Sequence, residues 1–568
     1  MKRKLEASLQ LAVEALLSEH GEENGVRVAL TRPKTRDHGD YAANVAMPLA
    51  GRLGIRPHEA AQRLLDLVQW PPVVEKTEIA GPGFINIHLQ QASEASILAK
   101  IVTQGVHYGR VAVDVHAPRA CVEFVSANPT GPMHVGHGRG AVVGDALSSV
   151  MEARGVRVQR EYYINDAGNQ IGVLADSVWL RMRELQGESI DFPDGCYPGE
   201  YIVDAARATL KKRSFAELQA MSEKDRRIWL GCDAVHAMMA MIRSDLQLLG
   251  ISFDEYFSEK SLHQSGKVGE LIEQLKADDL IYMGTLPPPK GKEIKDYHPV
   301  EQWLFRTTQF GDDVDRPLAK KDGTATYFAA DIAYHMNKHE RGFDRLVDVW
   351  GADHGGYVTR VQAAMQALTG KKHQPEVMLV QMVNLMRDGK PVRMSKRAGT
   401  FVTLREVVEE VGSDAVRFNF LTRRAESQLD FDLEIAKQKN DENPVYYVQY
   451  AHARVCAILR KADEEGLRLL KPEDVEVSHL VGAEETALIK HLLAYPEVLE
   501  TAANRLEPYR IAVYLMQLAA NLHSFYHKHR VIIEDVELAQ ARLLLMQAVK
   551  QVLANGLELL GVSAPEVM

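Results

Sequence analysis

The chain is predicted to be an α/β protein that continues into an all-α region, on three observations. Short runs of β-branched and aromatic residues alternate with amphipathic helical patterns through the middle of its 568 residues. One strand-to-helix junction, Cys121 to Asp145, carries turn residues, glycines and two histidines at the helix start. From about Asp441 to Met568 the periodicity is almost wholly helical, as a bundle requires. Together these predict a Rossmann-type nucleotide-binding domain with a helical insertion, preceded by a small N-terminal α/β domain and followed by a C-terminal helical bundle.

Length and composition bound this reading. One hydrophobic core stops growing at roughly 250–300 residues, so about three or four domains are expected. With 46% hydrophobic and 25% charged residues the chain reads as globular. Its formal charge of −10 confines any nucleic-acid contact to local basic patches. The four cysteines, Cys121, Cys196, Cys232 and Cys456, form no CxxC pattern, which excludes a zinc ribbon and a disulfide framework and implies a reducing compartment. In Met1 to Leu17, Glu6, Gln10 and Glu14 interrupt the apolar residues at helical spacing, so this is an amphipathic helix and not a signal peptide. No apolar run reaches the ~18–20 residues of a membrane span. The expectation is a cytoplasmic protein.

At the central junction, Cys121 to Val125 suits a buried strand and Asn128 to Gly131 a turn. The helix that follows from His134 has Val135, Val142, Val143 and Leu147 on its inner side. Free N–H groups at a helix start attract anions, and Gly136 and Gly138 let a base or phosphate approach without meeting a Cβ.

Taken in order, residues 1–110 hold a helix, a basic segment with Arg32, Lys34, Arg36 and His38 before Gly39-Asp40-Tyr41, and a strand near Phe84 to His88. The basic segment is either a solvated face or, with Arg36 beside Tyr41, a nucleic-acid contact. Residues 111–385 form the nucleotide domain, with a second strand at Val158 to Ile164 closed by Asn165 to Gln170 and a mostly helical insertion at about 171–290. Tyr327 and Asp331 share one helical face. Leu346 to Trp350 is a further buried strand, ending in Gly351-Ala352-Asp353-His354. Ligands of open parallel sheets lie beyond the strands' carboxyl ends, so Asp353 suits a ribose hydroxyl; the alternative is an N-cap for the helix of Val361 and Met365. Residues 386–440 bridge to the bundle at 441–568, where Tyr450, Arg454, Phe525 and Arg530 lie among interleaved aromatics and cations suited to splayed RNA bases.

The run His134-Val135-Gly136-His137 resembles the HIGH signature of class I aminoacyl-tRNA synthetases, and Arg393-Met394-Ser395-Lys396-Arg397 resembles their KMSKS. Ala127 to His137, Asn165 to Gln170, Gly323 to Asp331 and the DALR-like Asp414-Ala415-Val416-Arg417 extend the likeness over essentially the whole chain, which resembles the bacterial arginyl-tRNA synthetases. The resemblance implies ATP with Mg²⁺, L-arginine and tRNA(Arg) as partners of a monomer, and activation that waits for bound tRNA. It also implies that the N-terminal domain holds the outer corner of the tRNA and the C-terminal domain the anticodon loop. The family's arginine site carries over onto Glu123, Asn128, Tyr327 and Asp331. A guanidinium is a planar fork of donors, which two carboxylates can grip. Glu123 paired with a structural cation is the plainer alternative.

By the same resemblance, His134, His137 and Lys396 are catalytic, and ATP is held by His134, Gly136, His137, Gly351, Asp353, His354, Met394, Ser395 and Lys396. No metal-ligand cage is legible, so Mg²⁺ is expected to arrive with ATP. The second signature departs from its pattern at Arg393 and Arg397. The lysine that compensates in relatives lacking the motif's own would stand at Gly131, so its absence is consistent with Lys396 doing the work. Another adenylyltransferase acting on a small acid would not need the helical C-terminal domain. A silent tRNA-binding relative would not need His134, His137 and Lys396.

Overall fold

A computed structural model describes residues 2–22, 25–33, 38–89, 95–286, 299–370, 374–392 and 402–568. It divides into two compact units, one of Met1–Gly105, Ile458–Leu493 and Ser524–Gln551, the other of Val106–Ala457, Ala494–His523 and Val552–Met568.

In the second unit five parallel strands lie in the spatial order Glu376–Val380, Arg345–Gly351, Arg119–Glu123, Arg157–Ile164 and Glu255–Ser258. The central strand, Arg119–Glu123, is buried over its last four residues because helices cover both faces. Alternation along a strand sends successive side chains to opposite faces. Phe124, just past the strand, packs against Gly144 of the helix Val135–Ala153, whereas Glu123 meets Lys338 of the helix Tyr327–Glu340.

The stretch at 171–290 is mostly helical, in Asn169–Leu185, Glu200–Lys212, Phe215–Ala220 and Glu223–Leu248. It also supplies what the periodicity did not show, the edge strand Glu255–Ser258 of the five-stranded sheet. A separate antiparallel sheet of Ile281–Gly284, Gln302–Phe305 and Arg316–Lys320 follows and leads into the helix Tyr327–Glu340. A third sheet pairs Val383–Arg387 in parallel with Leu429–Asp432 and folds back through Lys390–Pro391. Asp388 and Gly389, both at positive φ (51° and 70°), make the tight hairpin turn.

In the first unit a four-stranded antiparallel sheet runs Leu30–Thr31, Tyr41–Ala43, Phe84–Leu89, Val74–Ala80, with the helices Lys2–Glu19, Ala46–Leu53 and Pro57–Leu67 contributing to its core. Gly39 is required there: its φ is +78° and a Cβ would stand 2.7 Å from the Ile87 carbonyl oxygen. The C-terminal region is helical in Pro444–Glu464, Ala483–Arg505, Tyr509–Lys528 and Val536–Leu559. Among the described residues no helix is long and apolar enough to cross a membrane.

A Cβ at Gly144 would lie 2.3 Å from Phe124 Cγ. Gly144→Ala is therefore expected to push the central helix off its strand at a cost of about 1–3 kcal/mol. A lowered thermal midpoint is the readout, and an unchanged one would mean that Phe124 swings aside freely.

Candidate active site

The first signature is a helix start built by its own histidines. His134 is the N-cap, extended at φ −102° and ψ 168°, and its Nδ1 accepts the Gly136 N–H at 3.1 Å. His137 Nδ1 accepts the His134 N–H at 3.3 Å, and the two rings stack with centroids 3.7 Å apart. Because each Nδ1 accepts a backbone proton, each ring carries its own proton on Nε2. Two donor nitrogens thus stand at the positive end of a helix, an arrangement suited to phosphate. Met382, 57% exposed, brings its Cε to 3.4 Å from where a Gly136 Cβ would stand.

The chain beyond the second signature returns to the same point. Thr403 forms an antiparallel bridge with His134, and Leu404 N–H donates to Met133 O at 2.8 Å. Leu404 Cδ1 comes within 2.5 Å of a Cβ built on Gly138, so this close approach needs glycine. Thr403 and Glu406 form a reciprocal cap that starts the helix Leu404–Val411. Arg405 Nε then donates to the buried Asp245 at 2.9 Å, and the Met133 N–H reaches that same carboxylate. Arg393 to Arg397, and with them Met394, Ser395 and Lys396, lie outside the described residues. Their flanks converge on the first signature.

Arg139, one helical turn further on, is fully buried and among the described residues pairs with no carboxylate. Its guanidinium donates to the carbonyls of Gln381 (2.9 Å), Arg424 (2.9 Å) and Ser427 (2.7 Å), and burial draws its pKa down to about 10. Arg417, in the DALR-like block, is also buried and joins Asp145 to the carbonyls of Leu249 and Leu560, both at 2.7 Å.

Past the strand Arg345–Gly351 the chain makes a 3-10 turn, Ala352–Tyr357. Asp353 and His354 are exposed on it, and a Cβ at Gly351 would meet Asp353 Oδ1 at 2.5 Å. The helix Val358–Thr369 starts at Tyr357, so Asp353 is not its N-cap. The acid is left facing outward at the carboxyl end of its strand.

Below this rim, three carboxylates stand at one register on three neighbouring strands, Asp348 beside Glu123 beside Glu161. The helix Tyr327–Glu340 and the residue after it answer them. Lys338 Nζ lies 2.6 Å from Glu123 Oε2 and 2.8 Å from Asp348 Oδ1; His335 Nε2 lies 3.0 Å from Asp348 Oδ2; Arg341 grips Glu161 with both NH groups, at 2.6 and 2.8 Å. Burial opposes the charge on Asp348, yet Lys338 and His335 hold its carboxyl well below the usual range.

Two further carboxylates lie beside this row, Asp331 with no ion pair among the described residues and Glu259 with His263 Nε2 3.6 Å from its Oε1. Asp331, half-buried, accepts from the Tyr357 hydroxyl, and its pKa is pushed up by burial and further raised by Glu123. Glu259, 4% exposed, lies against the Tyr163 hydroxyl, and its pKa is raised by burial and by Asp331. With its amide turned to suit its neighbours, Asn165 donates to Glu259 Oε2 at 3.0 Å. Tyr327, 68% exposed, stands over Gly168, its hydroxyl 3.3 Å from where a Cβ would be. Asn128 is exposed on the turn after the central strand, beyond Val125 and Ser126, whose positive φ values (67° and 38°) mark a strained bend.

Comparison with known proteins shows which family the chain resembles along its length. The catalytic-domain model of class I (R) tRNA synthetases matches residues 98–424, the arginyl tRNA synthetase N-terminal domain residues 3–89, and the DALR anticodon binding domain residues 448–568. An arginine–tRNA ligase of Magnetococcus marinus is 50% identical over 100% of both chains. The chain belongs to the arginyl-tRNA synthetase family. Another arginine–tRNA ligase, of Xanthobacter autotrophicus, is 49% identical over 95% of this chain and 94% of its own. Among solved structures, a Campylobacter jejuni protein described as a putative arginyl tRNA synthetase is 32% identical with a TM-score of 0.73, covering 84% of this chain and 100% of its own. The fold is shared with Thermus thermophilus arginyl-tRNA synthetase, 22% identical, TM-score 0.77 over 100% of both chains.

Within that family frame, the RNA-facing expectations divide. Tyr450 stacks on Tyr446 with centroids 5.8 Å apart, and Arg454 lies over the Tyr450 ring at 4.8 Å, so aromatic and cation are interleaved there as expected. Arg530 is exposed. Phe525 is fully buried and stacked on His529, so it serves the core and offers no face to a base; its neighbour Tyr526 is the exposed ring. Tyr41 is likewise fully buried, its hydroxyl taking a 2.9 Å bond from Arg32, which corrects the stacking role expected of it. Arg36 lies outside the described residues.

Glu259 was missed. Its signal was faint: an acid directly after Tyr256-Phe257-Ser258, legible only once that segment is known to be a strand ending beside Tyr163.

Arg139→Met is expected to leave the carbonyls of Gln381, Arg424 and Ser427 without their donor, at about 1–3 kcal/mol for each group that finds no other partner. Urea unfolding measures the loss, and a midpoint equal to the parent's would show that the carbonyls are satisfied otherwise.

Proposed function

We propose that the chain activates L-arginine with ATP, releasing pyrophosphate, and transfers the arginyl group to the 3′-terminal adenosine of tRNA(Arg). The observation that carries this reading is a pocket with more carboxylates than cations: Asp331 and Glu259 are left raised in pKa beside the compensated row of Glu123, Asp348 and Glu161. Such a site gains most from a cation with several donors in one plane, which a guanidinium is.

In this reading Asp331 and Glu259 take the guanidinium, with Tyr327 covering it, and Glu123 and Asn128 complete the pocket toward the amino acid's other end. This alters the initial expectation for Glu123, whose carboxylate already holds Lys338. The arginine carboxylate attacks the α-phosphorus of ATP, so the protein supplies positioning and positive charge and no nucleophile. His134 and His137 donate from Nε2 to phosphate oxygens, Gly136 and Met382 bound the adenine, and Gly351, Asp353 and His354 border the ribose. Lys396, with Met394 and Ser395, stabilises the departing pyrophosphate. Mg²⁺ enters as part of the nucleotide substrate. Tyr450, Arg454 and Arg530 contact the anticodon arm. The chain works as a monomer in the cytoplasm.

The direct test is pyrophosphate exchange across the twenty amino acids with and without tRNA(Arg). Arginine alone should support it, and only when the tRNA is present. Exchange with another amino acid would overturn the substrate assignment, and robust exchange without tRNA would separate activation from tRNA binding.

Asp331→Asn should raise the arginine KM by at least about tenfold while the ATP KM stays near normal, since an unpartnered buried charge typically costs several kcal/mol. Equal weakening of both would point to misfolding. The raised pKa values also set a pH dependence. Asp331 and Glu259 hold protons in the folded state that the unfolded chain has released, so without arginine stability falls as pH rises above about 4, the ordinary carboxylate range. Arginine should therefore raise the melting temperature more at pH 8 than at pH 5. An equal shift at both would remove these two groups from the site.

A further inference from the structure

The helix Tyr327–Glu340 carries Asp331 and, seven residues on, Lys338 on the same face. Lys338 is 0% exposed, one of the least accommodating places for an ammonium. Its nitrogen sits 2.6 Å from Glu123 Oε2 and 2.8 Å from Asp348 Oδ1, and 4.3 Å from the centre of the Tyr334 ring. Two carboxylates and an aromatic face thus take up its surroundings. Asp348 has a second partner in His335 at 3.0 Å. Among the described residues Glu123 has no second cation, only the Ser126 hydroxyl on Oε1 at 2.8 Å, and that same hydroxyl oxygen accepts the Tyr163 N–H at 3.1 Å. Both oxygens of Glu123 are therefore fixed before any substrate arrives.

We propose that Lys338 is a positioning residue for arginine activation, a resident cation that holds the Glu123 carboxylate in place so that the substrate's own cation is left to Asp331 and Glu259. The inference rests on the reading that these acids line the arginine pocket. The groups facing Lys338 are Glu123 and Cys121 on the central strand, Asp348 and Glu161 on the flanking strands, and Tyr334, His335 and Arg341 from its own helix and the residue after it. Asp331 lies close enough to feel the charge of both Glu123 and Lys338. Removing Lys338 would add one uncompensated negative charge to a pocket already short of cations. Repulsion would then let the acids keep a proton that the guanidinium has to displace, and arginine affinity would fall without any change at the phosphates.

Lys338→Met alone leaves the row unbalanced and is prone to misfold. The deciding protein is therefore Lys338→Met combined with Asp348→Asn, which removes one charge of each sign and still leaves Glu123 without its cation. Full-length variants are compared in arginine-dependent exchange with tRNA present. The double variant should raise the arginine KM by at least about tenfold, leave the ATP KM within about twofold, and move the acid limb of kcat/KM for arginine to higher pH. Asp348→Asn alone, which keeps Lys338 on Glu123, should do none of these. The proposal is overturned if the double variant matches Asp348→Asn, if arginine and ATP weaken alike, or if the double variant does not fold while Asp348→Asn does, since Lys338 would then be purely structural. Glu123→Gln, run in parallel, separates the two levels. No effect on the arginine KM there would sink the pocket reading itself, whereas an effect there with none in the double variant would sink only the role of Lys338.

Discussion

Parallel strands buried on both faces ordinarily carry aliphatic residues, because a charge at their centre has no water to compensate it. Here three adjacent strands place Asp348, Glu123 and Glu161 side by side at one register. The fold tolerates that row only because one helix and its C-terminal extension deliver Lys338, His335 and Arg341 against it. Replacing buried ion pairs by apolar residues is often neutral or stabilising, so retaining six charged partners where leucine would serve needs a reason beyond stability. Under the function proposed above, the reason lies at the edge of the row, where Asp331 and Glu259 would meet the cation of the substrate.

The second constraint is mechanical. The first signature meets the chain beyond the second through main-chain contacts, His134 with Thr403 and Met133 with Leu404, and through Asp245, which takes both the Met133 N–H and Arg405. Main-chain bonds depend little on side-chain identity, and the join is sharpened by Gly138, which lets Leu404 approach where a Cβ would collide. Pro391 closes a tight hairpin before the second signature, and Thr403 caps the helix that follows it. The histidines of the first signature build the helix start themselves, each through its Nδ1.

Local signals carried much of this into the sequence. The runs Cys121 to Val125, Val158 to Ile164 and Leu346 to Trp350 are β-branched or aromatic enough to read as strands, and they form three of the five in the sheet. Glu255–Ser258 was not legible, since four residues give no alternation and the surrounding periodicity is helical. The antiparallel sheet from Ile281 to Lys320 failed to register for the same reason. Glu123 and Asp331 became candidate site acids through resemblance to the family, and Asp353 through its place at the carboxyl end of a strand. Which cation meets which acid was not, because the pairing of Lys338 with Glu123 is fixed by packing across 215 positions. Exposure was the other gap: Phe525 and Tyr526 are neighbours on one helix, and composition cannot say which of two adjacent rings turns inward.

Arg417 has a consequence for how such a chain comes into being. Its guanidinium reaches Asp145 in the catalytic helix, the Leu249 carbonyl at the end of the insertion, and the Leu560 carbonyl close to the last residue described. Chains emerge from the ribosome N-terminus first and tend to fold domain by domain as they do. The nucleotide sheet, complete by Val380, can therefore form long before Leu560 exists. Until then a buried arginine beside the catalytic helix lacks one of its three partners, and Asp414 still awaits Ser563. The order of synthesis thus delays the final locking of the catalytic helix until the helices of the anticodon-binding region have been made, so that a nascent chain is not yet a finished enzyme.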